Sequence, residues 1–457
     1  MSRILFCLPS VVETSLHSID PFYEGFIKAL YEQGHDVHVL KTNNFFEKNY
    51  QEQNLQFIIN REKYQSFIQK LNPEYIFAFN NSLDRIIVES TNCPIVCWSS
   101  ESLYYLLSQS LIKQYKERYY FFHFDPNTKK QFEEEFDLES NKSFLVICPS
   151  AIQAKSVLKS NNITFVGAIH RMKPSMQDFS KYSSRQKILL HSNIVKCKKD
   201  PYKFLKNDNC LYIKIFGQKI YKRDILDFVS RESRVRVLSL ISDLGLSFYG
   251  VGAESEIKKI NDSLYFAYKS QIIDSLKKTE LLYNSSKICI NIPNCQSVNA
   301  LSWRVPDILA SNSVLVSSRG LKNIYGSEFK LPSFDSPAEA YEICKRLLHD
   351  QELRKDLTAY SNDLIEKGYR FSHLINNIDD ILGKNFHKKK DLNTYKKVCF
   401  VMHENYCKKI MLLKEKMILN AIDILPKGFK EILGNLAQRY GVRITNKIKL
   451  RYKHNTK

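Results

Sequence analysis

Residues 3–40 read RILFCLPSVVETSLHSIDPFYEGFIKALYEQGHDVHVL and decide the fold of the first part of the chain. The apolar run at 3–9 predicts a buried strand, and apolar residues at helical spacing within 21–34 predict a helix that ends at a glycine. Residues 35–40 predict a second strand. A strand, a helix and a strand of these lengths form a βαβ unit, so the sequence opens as a parallel α/β domain.

The same alternation of short apolar strands and amphipathic helices continues along the chain. We predict two doubly wound, Rossmann-like domains that face each other across a cleft: an acceptor-side domain at 1–160 and a nucleotide-binding domain at 161–385. A polar and basic stretch at about 172–225 is interpreted as a helical insertion in the second domain. Residues 386–457 are predicted to form a basic helical tail.

The charge of the chain is concentrated at its C-terminal end. The 457 residues are 44% hydrophobic and carry a formal charge of +20, of which residues 388–457 contribute +13. Such segregation favours an anionic surface as the partner of the tail, rather than nucleic acid bound by a uniformly basic protein. The 11 cysteines form no CxxC pair, and neither a cleavable leader nor a spanning apolar run is visible. We therefore expect a cytoplasmic protein.

Residues 304–318, RVPDILASNSVLVSS, join a buried strand to a helix that starts with a charged pair and a proline. A proline inside a helix costs about 3 kcal/mol because its ring meets the carbonyl four residues back. If Ser302 caps this helix, that carbonyl belongs to the cap and the cost largely disappears. The next three N–H groups would then face an anion. The ordinary alternative is an ion pair between Arg304 and Asp307 on a solvated helix face.

Several further stretches accompany this segment. They are PIVCWSSES (94–102), FVGAIHR (165–171), VSRESRVRVLSLISDLGLSFYG (229–250), LLYNSSKICINIP (281–293) and LLHDQELRKDL (347–357). Together with WRVPDILASNSVLVSS they resemble group 1 glycosyltransferases of the spore-maturation-protein type, over residues of about 75–385. That family has the two-domain GT-B fold. Its members usually carry an aromatic residue where this chain has Pro306, and a glycine where it has Asn312.

The resemblance implies a site for a nucleotide-sugar donor, which by the habit of the family is linked to UDP. Arg304 would act on the diphosphate as a catalytic residue, and Asp307 would accept the ribose hydroxyls. Glu101, on the facing domain, would contact the transferred sugar or orient the acceptor hydroxyl as the second catalytic residue. The donor would also be lined by Ser286, Lys287, Asn299, Gly250 and Arg171.

Most of these donor-site residues also have an ordinary structural interpretation. Ser286 and Lys287 suit the start of a strand, and Gly250 suits a turn. Arg171 suits a basic surface, and Glu101 suits the first turn of a helix. Both interpretations stay open at the level of the sequence.

We predict neither a metal site nor a bound cofactor. Cys399, His403 and Cys407 recur every four residues, which spreads them too far along a helix for one zinc ion. No Asp-x-Asp motif stands out either. We therefore expect metal-independent glycosyl transfer, hexosyl or related, to a glycan or lipid-linked acceptor in surface polysaccharide or lipooligosaccharide synthesis. A nucleotide-sugar epimerase of similar shape and a non-catalytic basic binding protein are the alternatives.

Residues 408–457 are the candidate membrane-binding segment. In GFKEILGNLAQRYG (428–441) apolar residues share one helix face and cations lie toward its edges, which is typical of a helix in a membrane interface. Each cation near an anionic leaflet contributes about 1 kcal/mol. We expect the tail to hold the protein peripherally at the inner face of the cytoplasmic membrane. A solvated helix that covers the nucleotide-binding domain is the alternative.

Overall fold

The structure is a computed structural model, and it describes most of the chain up to residue 382. The described residues are 2–9, 21–42, 61–83, 85–99, 109–169, 176, 180, 182–206, 212–215, 218–250, 254–295, 301–318, 329–382 and 399–400. Two parallel sheets organise this part of the chain. The predicted tail lies outside the described residues, apart from residues 399–400.

The first domain is built on a sheet of seven parallel strands in the order β15-β2-β1-β3-β4-β5-β6. The strands are β1 (Arg3–Pro9), β2 (Asp36–Thr42), β3 (Tyr75–Phe79), β4 (Ile95–Ser99), β5 (Tyr119–His123), β6 (Ser143–Leu145) and β15 (Cys399–Phe400). The predicted βαβ opening is confirmed, because β1 and β2 pair in parallel. All strands of this sheet therefore end at one carboxyl edge.

Helices and aromatic side chains cover this sheet. The described helices are α1 (Pro21–Glu32), α2 (Arg61–Leu71), α3 (Arg85–Glu89), α4 (Gln109–Tyr115) and α5 (Pro126–Phe136). Phe26 of α1 packs edge-on against Phe6 and Phe77, with ring centroids 5.5 and 5.7 Å away. All three rings are fully buried. The helical spacing of the apolar residues in α1 thus corresponds to the face that meets the sheet.

The second domain contains a parallel sheet of six strands in the order β11-β10-β7-β12-β13-β14. Its strands are β7 (Asn161–Val166), β10 (Leu246–Tyr249), β11 (Tyr268–Lys269), β12 (Ser286–Asn291), β13 (Val314–Ser318) and β14 (Ser333–Phe334). The chain starts this sheet at β7, moves outward on one side to β11, and returns beside β7 as β12. This is the strand order of dinucleotide-binding Rossmann domains.

The helices of the second domain follow the alternation that the sequence predicts. They are α8 (Lys222–Leu240), α9 (Glu254–Ile260), α10 (Asp262–Ala267), α11 (Leu276–Asn284), α12 (Arg304–Leu309), α13 (Pro337–His349) and α14 (Gln351–Gly368). Helix α13 begins with a capping box in which Ser336 and Glu339 satisfy each other's backbone N–H groups. The predicted pair of doubly wound domains is confirmed.

The segment between β7 and α8 contains more than the predicted helices. Helices α6 (Ser184–Lys199) and α7 (Pro201–Lys206) are followed by an antiparallel hairpin of β8 (Tyr212–Ile215) and β9 (Gln218–Tyr221). The sequence indicates little strand here because both strands have four residues and carry lysines. The segment has its own apolar core, which includes Leu190 and Ile194 of α6 and Leu226 of α8.

The two domains contact each other through aromatic side chains. Helix α15 (Phe371–Leu382) follows α14, and Phe371 packs on Phe22 and Phe26 of α1 with ring centroids 5.4 and 5.3 Å away. Trp303, directly before α12, lies 4.5 Å from Phe22 and 5.2 Å from Tyr23 by ring centroids.

The exact domain boundaries stay a prediction. Among the described residues, no helix is long and apolar enough to span a membrane.

Candidate functional site

The carboxyl edge of the second sheet has a point where the strand order reverses. Strand β7 lies between β10, which follows it outward, and β12, which begins the other half of the sheet. Loops that leave neighbouring strands in opposite directions create a crevice, and ligands of open α/β sheets bind there. The residues at the ends of β7, β10 and β12 therefore form the candidate site.

Arg304, the first residue of α12, reaches this crevice. Its guanidinium carbon lies 5.4 Å from the centroid of the Phe165 ring in β7. One terminal nitrogen lies 3.2 Å from the position that a Cβ atom would take on Gly167. The other, Nη1, is buried and has no hydrogen-bond partner in the described part of the chain. Burial lowers the pKa of the Arg304 guanidinium below its usual value.

Arg234, on α8, is the second cation of the crevice. Its Nη1 donates to the Ala168 carbonyl at 2.6 Å, and its Nε donates to the Ile292 carbonyl at 3.2 Å. These carbonyls follow β7 and β12, so Arg234 braces the two strands at which the order reverses. Burial, together with the charge of Arg304, lowers the pKa of Arg234 to about 9. Both arginines remain charged at neutral pH.

The two guanidinium groups share one aromatic ring. Arg234 lies 5.9 Å from the Phe165 centroid, against 5.4 Å for Arg304. The two guanidinium groups carry like charges beside the same ring, and in a partly buried site these charges repel each other. The repulsion raises the free energy of the folded protein. An anion placed between them would remove that cost and would supply an acceptor for Nη1 of Arg304. The arrangement therefore suits a phosphate or diphosphate group.

Two glycines allow the close approach of these groups. A Cβ atom on Gly250 would lie 2.5 Å from the Gly167 carbonyl oxygen, and one on Gly167 would lie 2.9 Å from the Phe165 ring. The Gly167 N–H also donates to the Tyr249 carbonyl at 2.9 Å. A side chain at Gly250 would push apart the ends of β7 and β10, and one at Gly167 would press on the Phe165 ring and on Arg304. The structure thus brings together the predicted residues Gly250 and Arg304.

Hydrogen bonds between side chains hold the start of α12 against β12 and β13. The Ser302 hydroxyl donates to Asn291 Oδ1 at 2.9 Å, and Asn291 Nδ2 donates to Ser317 Oγ at 2.9 Å. The predicted cap by the Ser302 side chain is therefore wrong. Helix α12 begins one residue later, after Trp303, which has helical backbone angles and provides no side-chain cap.

Pro306 is accommodated for nearly the predicted reason. The carbonyl four residues before it belongs to Ser302, outside the helix, and accepts the Val305 N–H at 2.8 Å. The prediction that Val305 offers a free N–H group is wrong as well. Because α12 has only six residues, its backbone adds little to anion binding. Among the described residues, Arg304 and Arg234 supply positive charge to the crevice.

Asp307 does not face an open cleft, contrary to our expectation. Its carboxylate is buried and accepts the Ser150 hydroxyl at 2.6 Å. Ser150 lies on the segment that connects the two sheets, and its N–H donates to the Tyr369 carbonyl at 2.9 Å. Burial raises the pKa of the Cys148 thiol, and the negative charge of Asp307 raises it as well. The contact of Asp307 with a ribose stays a prediction, and this buried hydrogen bond counts against it.

Ser286 and Lys287 lie at the opposite edge of the sheet from Arg304. Both are at the amino end of β12, about 15 Å along the strand from its carboxyl end. The Ser286 hydroxyl bonds to Thr164 Oγ1 and to the Leu282 carbonyl, both at 2.7 Å, and Lys287 donates to Asn162 Oδ1 at 2.9 Å. The structure therefore does not bring them together with the crevice, and their ordinary strand-start interpretation fits better.

The other predicted site residues fall where the structure gives no description. Glu101, Arg171 and Asn299 lie outside the described residues, as does the segment 408–457. Their proposed roles stay predictions. The metal-like arrangement in the tail also lies outside, apart from the backbone of Cys399.

Sequence reasoning missed Arg234 and Gly167 as site residues. The FVG stretch contains Gly167, and the motif could have included it because a glycine at the end of a first strand often marks close approach to a ligand. Arg234 gives a weaker signal. It lies on a helix that also buries Lys222 and Arg231, so the sequence does not set it apart, although a buried arginine needs a structural or functional reason.

No protein-family model and no curated protein matches the sequence. Solved structures do match. Sucrose-phosphate synthase from Thermosynechococcus elongatus has 8% sequence identity and a TM-score of 0.50, with 84% of this chain and 98% of that chain covered. This likeness, with the strand orders above, supports the predicted GT-B fold, in which two Rossmann-like domains follow each other.

Two further structures are similar at lower scores. A glycosyltransferase from Rickettsia africae has 11% identity, a TM-score of 0.43 and coverage of 83% of this chain and 98% of that chain. The T4 phage protein BGT, solved in complex with its UDP-glucose substrate, has 13% identity, a TM-score of 0.44 and coverage of 83% and 99%. At these identities the similarity concerns the fold. The chain has the GT-B fold, and the spore-maturation-type family stays a resemblance.

Proposed function

We propose that this protein is a glycosyltransferase that moves a sugar from a nucleotide-sugar donor to an acceptor hydroxyl. The observation that carries the proposal is the pair of arginines at the strand-order reversal of the second sheet. Arg304 has a buried Nη1 without an acceptor, and Arg234 holds the ends of β7 and β12 together beside it. A donor diphosphate in this crevice would satisfy both.

The chemistry requires stabilisation of a departing nucleoside diphosphate. Charge develops on the leaving phosphate as its bond to the sugar breaks, and fixed cations placed at that charge lower the barrier. Arg304 would donate to the leaving phosphate, while Arg234 would contribute charge from a position fixed by two backbone carbonyls. Because the arginines can supply this charge, we propose that transfer does not need a metal ion. UDP is the proposed nucleotide, on the resemblance alone.

The proposed acceptor is a glycan or a lipid-linked sugar in surface polysaccharide or lipooligosaccharide synthesis. This part rests on the resemblance to spore-maturation-type transferases and on the basic tail, whose 388–457 segment carries +13. A lipid-linked acceptor would make attachment to an anionic membrane useful. We therefore also propose a cytoplasmic protein bound peripherally to the membrane.

The test is incubation of the full chain with UDP-, GDP-, CDP- and ADP-sugars, with and without a chelator. We expect the release of one nucleoside diphosphate. This release should continue in the presence of the chelator and should fall about 100-fold in Arg304→Met. Lys287→Ala is the matched control, since this exposed cation lies at the other edge of the sheet. Addition of a lipid extract as acceptor source should accelerate the release.

The alternative outcomes are distinct. Conversion of the sugar into an epimer while it stays attached to the nucleotide would identify an epimerase and contradict the proposal. Salt-sensitive binding of oligonucleotides without any turnover of a nucleotide sugar would favour a non-catalytic basic protein.

A further inference from the structure

Helix α6 in the insertion exposes an apolar stripe. Ile188 and Val195 are 69% and 48% exposed, and they lie seven residues apart, so they share one line along the helix. Leu189 is 41% exposed at the margin of the same surface. The opposite face is buried in the core of the insertion through Leu190, Ile194 and Cys197. Exposed aliphatic residues are common singly, but three on one surface need a reason.

Cations flank this stripe, and α6 contains no carboxylate. At 100° per residue, Arg185 and Lys196 lie on one side of the line through Ile188, and Lys187 and Lys198 lie on the other. Lys199 continues the line itself. All five cations are exposed. The helix therefore presents a net charge of +5 around an apolar centre.

Several lysines on other helices of the protein have carboxylate partners one turn away. Examples are Lys129 with Glu133 at 2.6 Å, Lys278 with Asp274 at 2.7 Å, and Lys367 with Asp363 at 2.6 Å. Within the described part of the chain, the four lysines of α6 form no ion pair. Their charge is thus available to an external anion, unlike the charge of Lys129, Lys278 and Lys367.

We propose that α6 is a docking surface for an anionic phospholipid membrane. An apolar stripe between rows of lysine and arginine is the layout of a helix that lies in the interface, with aliphatic side chains at the acyl boundary and cations among the headgroups. Nucleic acid is a poorer fit. Its phosphates would engage the cations, but the centre of the exposed arc is aliphatic, and the ring that α6 exposes for a base to stack on is the small imidazole of His191.

The position of α6 links this surface to the rest of the molecule. Its buried face packs with α8, which also carries Arg234, and with Cys295, which follows the carboxyl end of β12. The insertion that carries α6 is therefore packed beside the carboxyl end of β12, where the candidate site lies. The surface is separate from residues 408–457, and its existence does not depend on the transfer reaction.

The test is sedimentation of the full chain with vesicles of phosphatidylcholine alone and of phosphatidylcholine mixed with phosphatidylglycerol. Replacement of Lys187, Lys196 and Lys198 by Gln should lower the partition coefficient on anionic vesicles about 100-fold. The double change of Ile188→Ser and Val195→Ser should lower it about tenfold. The matched controls are Lys278, Lys355 and Lys367 changed to Gln, and Leu281→Ser, which alters another exposed aliphatic residue.

The controls should sediment like the natural sequence, and all variants should melt at the same temperature because the changes are on the surface. Equal sedimentation of the α6 variants and the controls would overturn the proposal. A second result would also overturn the proposal: only the lysine variant loses sedimentation with anionic vesicles, and the same lysines are needed to bind an oligonucleotide. The surface would then bind polyanions in general. Nucleoside diphosphate release, measured without vesicles, should be unchanged in these variants, so it tests the proposed function separately.

Discussion

The partly buried cations at the two edges of the second sheet differ in their hydrogen-bond partners. At the amino edge, Lys159 donates to the carbonyls of Asn284, Ser286 and Asn312, so all three of its protons are used within the fold. At the carboxyl edge, Arg304 keeps a buried Nη1 for which the described residues provide no acceptor. Lys159 therefore stabilises the fold, whereas Arg304 keeps a hydrogen-bond donor that a ligand can use.

The comparison teaches that partners, rather than charge, distinguish a structural cation from a functional one. Burial lowers the pKa of Lys159 to about 8, yet at neutral pH its ammonium form can serve three carbonyls at once. Leaving a buried guanidinium proton unpaired costs free energy, which natural proteins tolerate mainly at sites of function. Loss of Lys159 should therefore affect folding, and loss of Arg304 should affect binding.

The largest expected effect is on turnover in Arg304→Met. We expect nucleoside diphosphate release to fall about 100-fold, because one charge-stabilising donor is lost. The free energy of unfolding should stay the same or rise, because a buried charge without a partner is removed. Steady-state kinetics and chemical denaturation measure the two quantities.

Arg118→Met provides the matched arginine control. Arg118 donates to the carbonyls of Val88 and Cys93 at 2.7 and 3.1 Å, so the fold already uses it. This variant should lose stability and keep its turnover per folded molecule. The comparison fails if Arg304→Met destabilises the protein as much as Arg118→Met does.

The second effect is on stability at the amino edge. Lys159→Met should lower the free energy of unfolding by about 2 kcal/mol, since it leaves three carbonyls to poorer partners. Lys155→Met, on the same connecting segment, removes an exposed ion pair with Glu280 and should change stability by less than about 1 kcal/mol. Urea denaturation compares them. Equal stability of the two variants would remove the structural role of Lys159.

The fold itself was largely predictable, but contacts between distant segments were not. Short apolar runs between helical patterns indicated both sheets, because strand and helix periods are local properties of the sequence. The crevice residues Arg304 and Gly250 followed from one motif each. The hydrogen bond between Asp307 and Ser150 could not be predicted, because the two residues are 157 positions apart in the sequence. Arg234 was missed because its carbonyl partners follow two different strands.

Lys287 was misplaced for a different reason. A residue that starts a parallel strand lies at the amino edge, away from the ligand side, and this rule needed only the direction of β12. The prediction instead followed the resemblance to the glycosyltransferase family, which places Lys287 near the donor. Gly250, which follows the carboxyl end of β10, does lie at the crevice.

A third prediction asks whether an unpartnered polar group is enough to indicate function. Both ring nitrogens of His123 are buried without a described partner, and burial lowers the pKa of His123 to about 3. This histidine, unlike Arg304, is neutral at pH 7 and packs against Phe132 at 4.8 Å between ring centroids. We expect His123→Phe to keep full turnover.

The same histidine predicts an acid dependence. The unfolded chain binds a proton near pH 6.5 and the folded chain only near pH 3, so the contribution of His123 to stability is complete above pH 6.5 and declines below it. The loss is about 1.4 kcal/mol per pH unit. Denaturation between pH 7 and pH 4 should show this slope in the natural sequence and a shallower one in His123→Phe. Parallel slopes would contradict a buried neutral histidine.

The smallest expected effect is that of Lys287→Ala. Its ammonium group is exposed and bonds to Asn162 at 2.9 Å, at the edge opposite Arg304. Stability should change by less than about 1 kcal/mol, and the KM for the donor should not change. A several-fold rise in KM would return Lys287 to the donor site and break the division between the two edges.

The most direct test of the account is a calorimetric titration with a nucleoside diphosphate and its monophosphate. UDP, GDP, CDP and ADP are screened first, and the tightest ligand is compared with its monophosphate in the natural sequence, Arg304→Met and Lys287→Ala. We predict that the natural sequence and Lys287→Ala bind the diphosphate at least tenfold more tightly than the monophosphate, and that Arg304→Met binds both about equally. Retention of the full preference in Arg304→Met would contradict the assignment of the carboxyl-edge crevice as the diphosphate site.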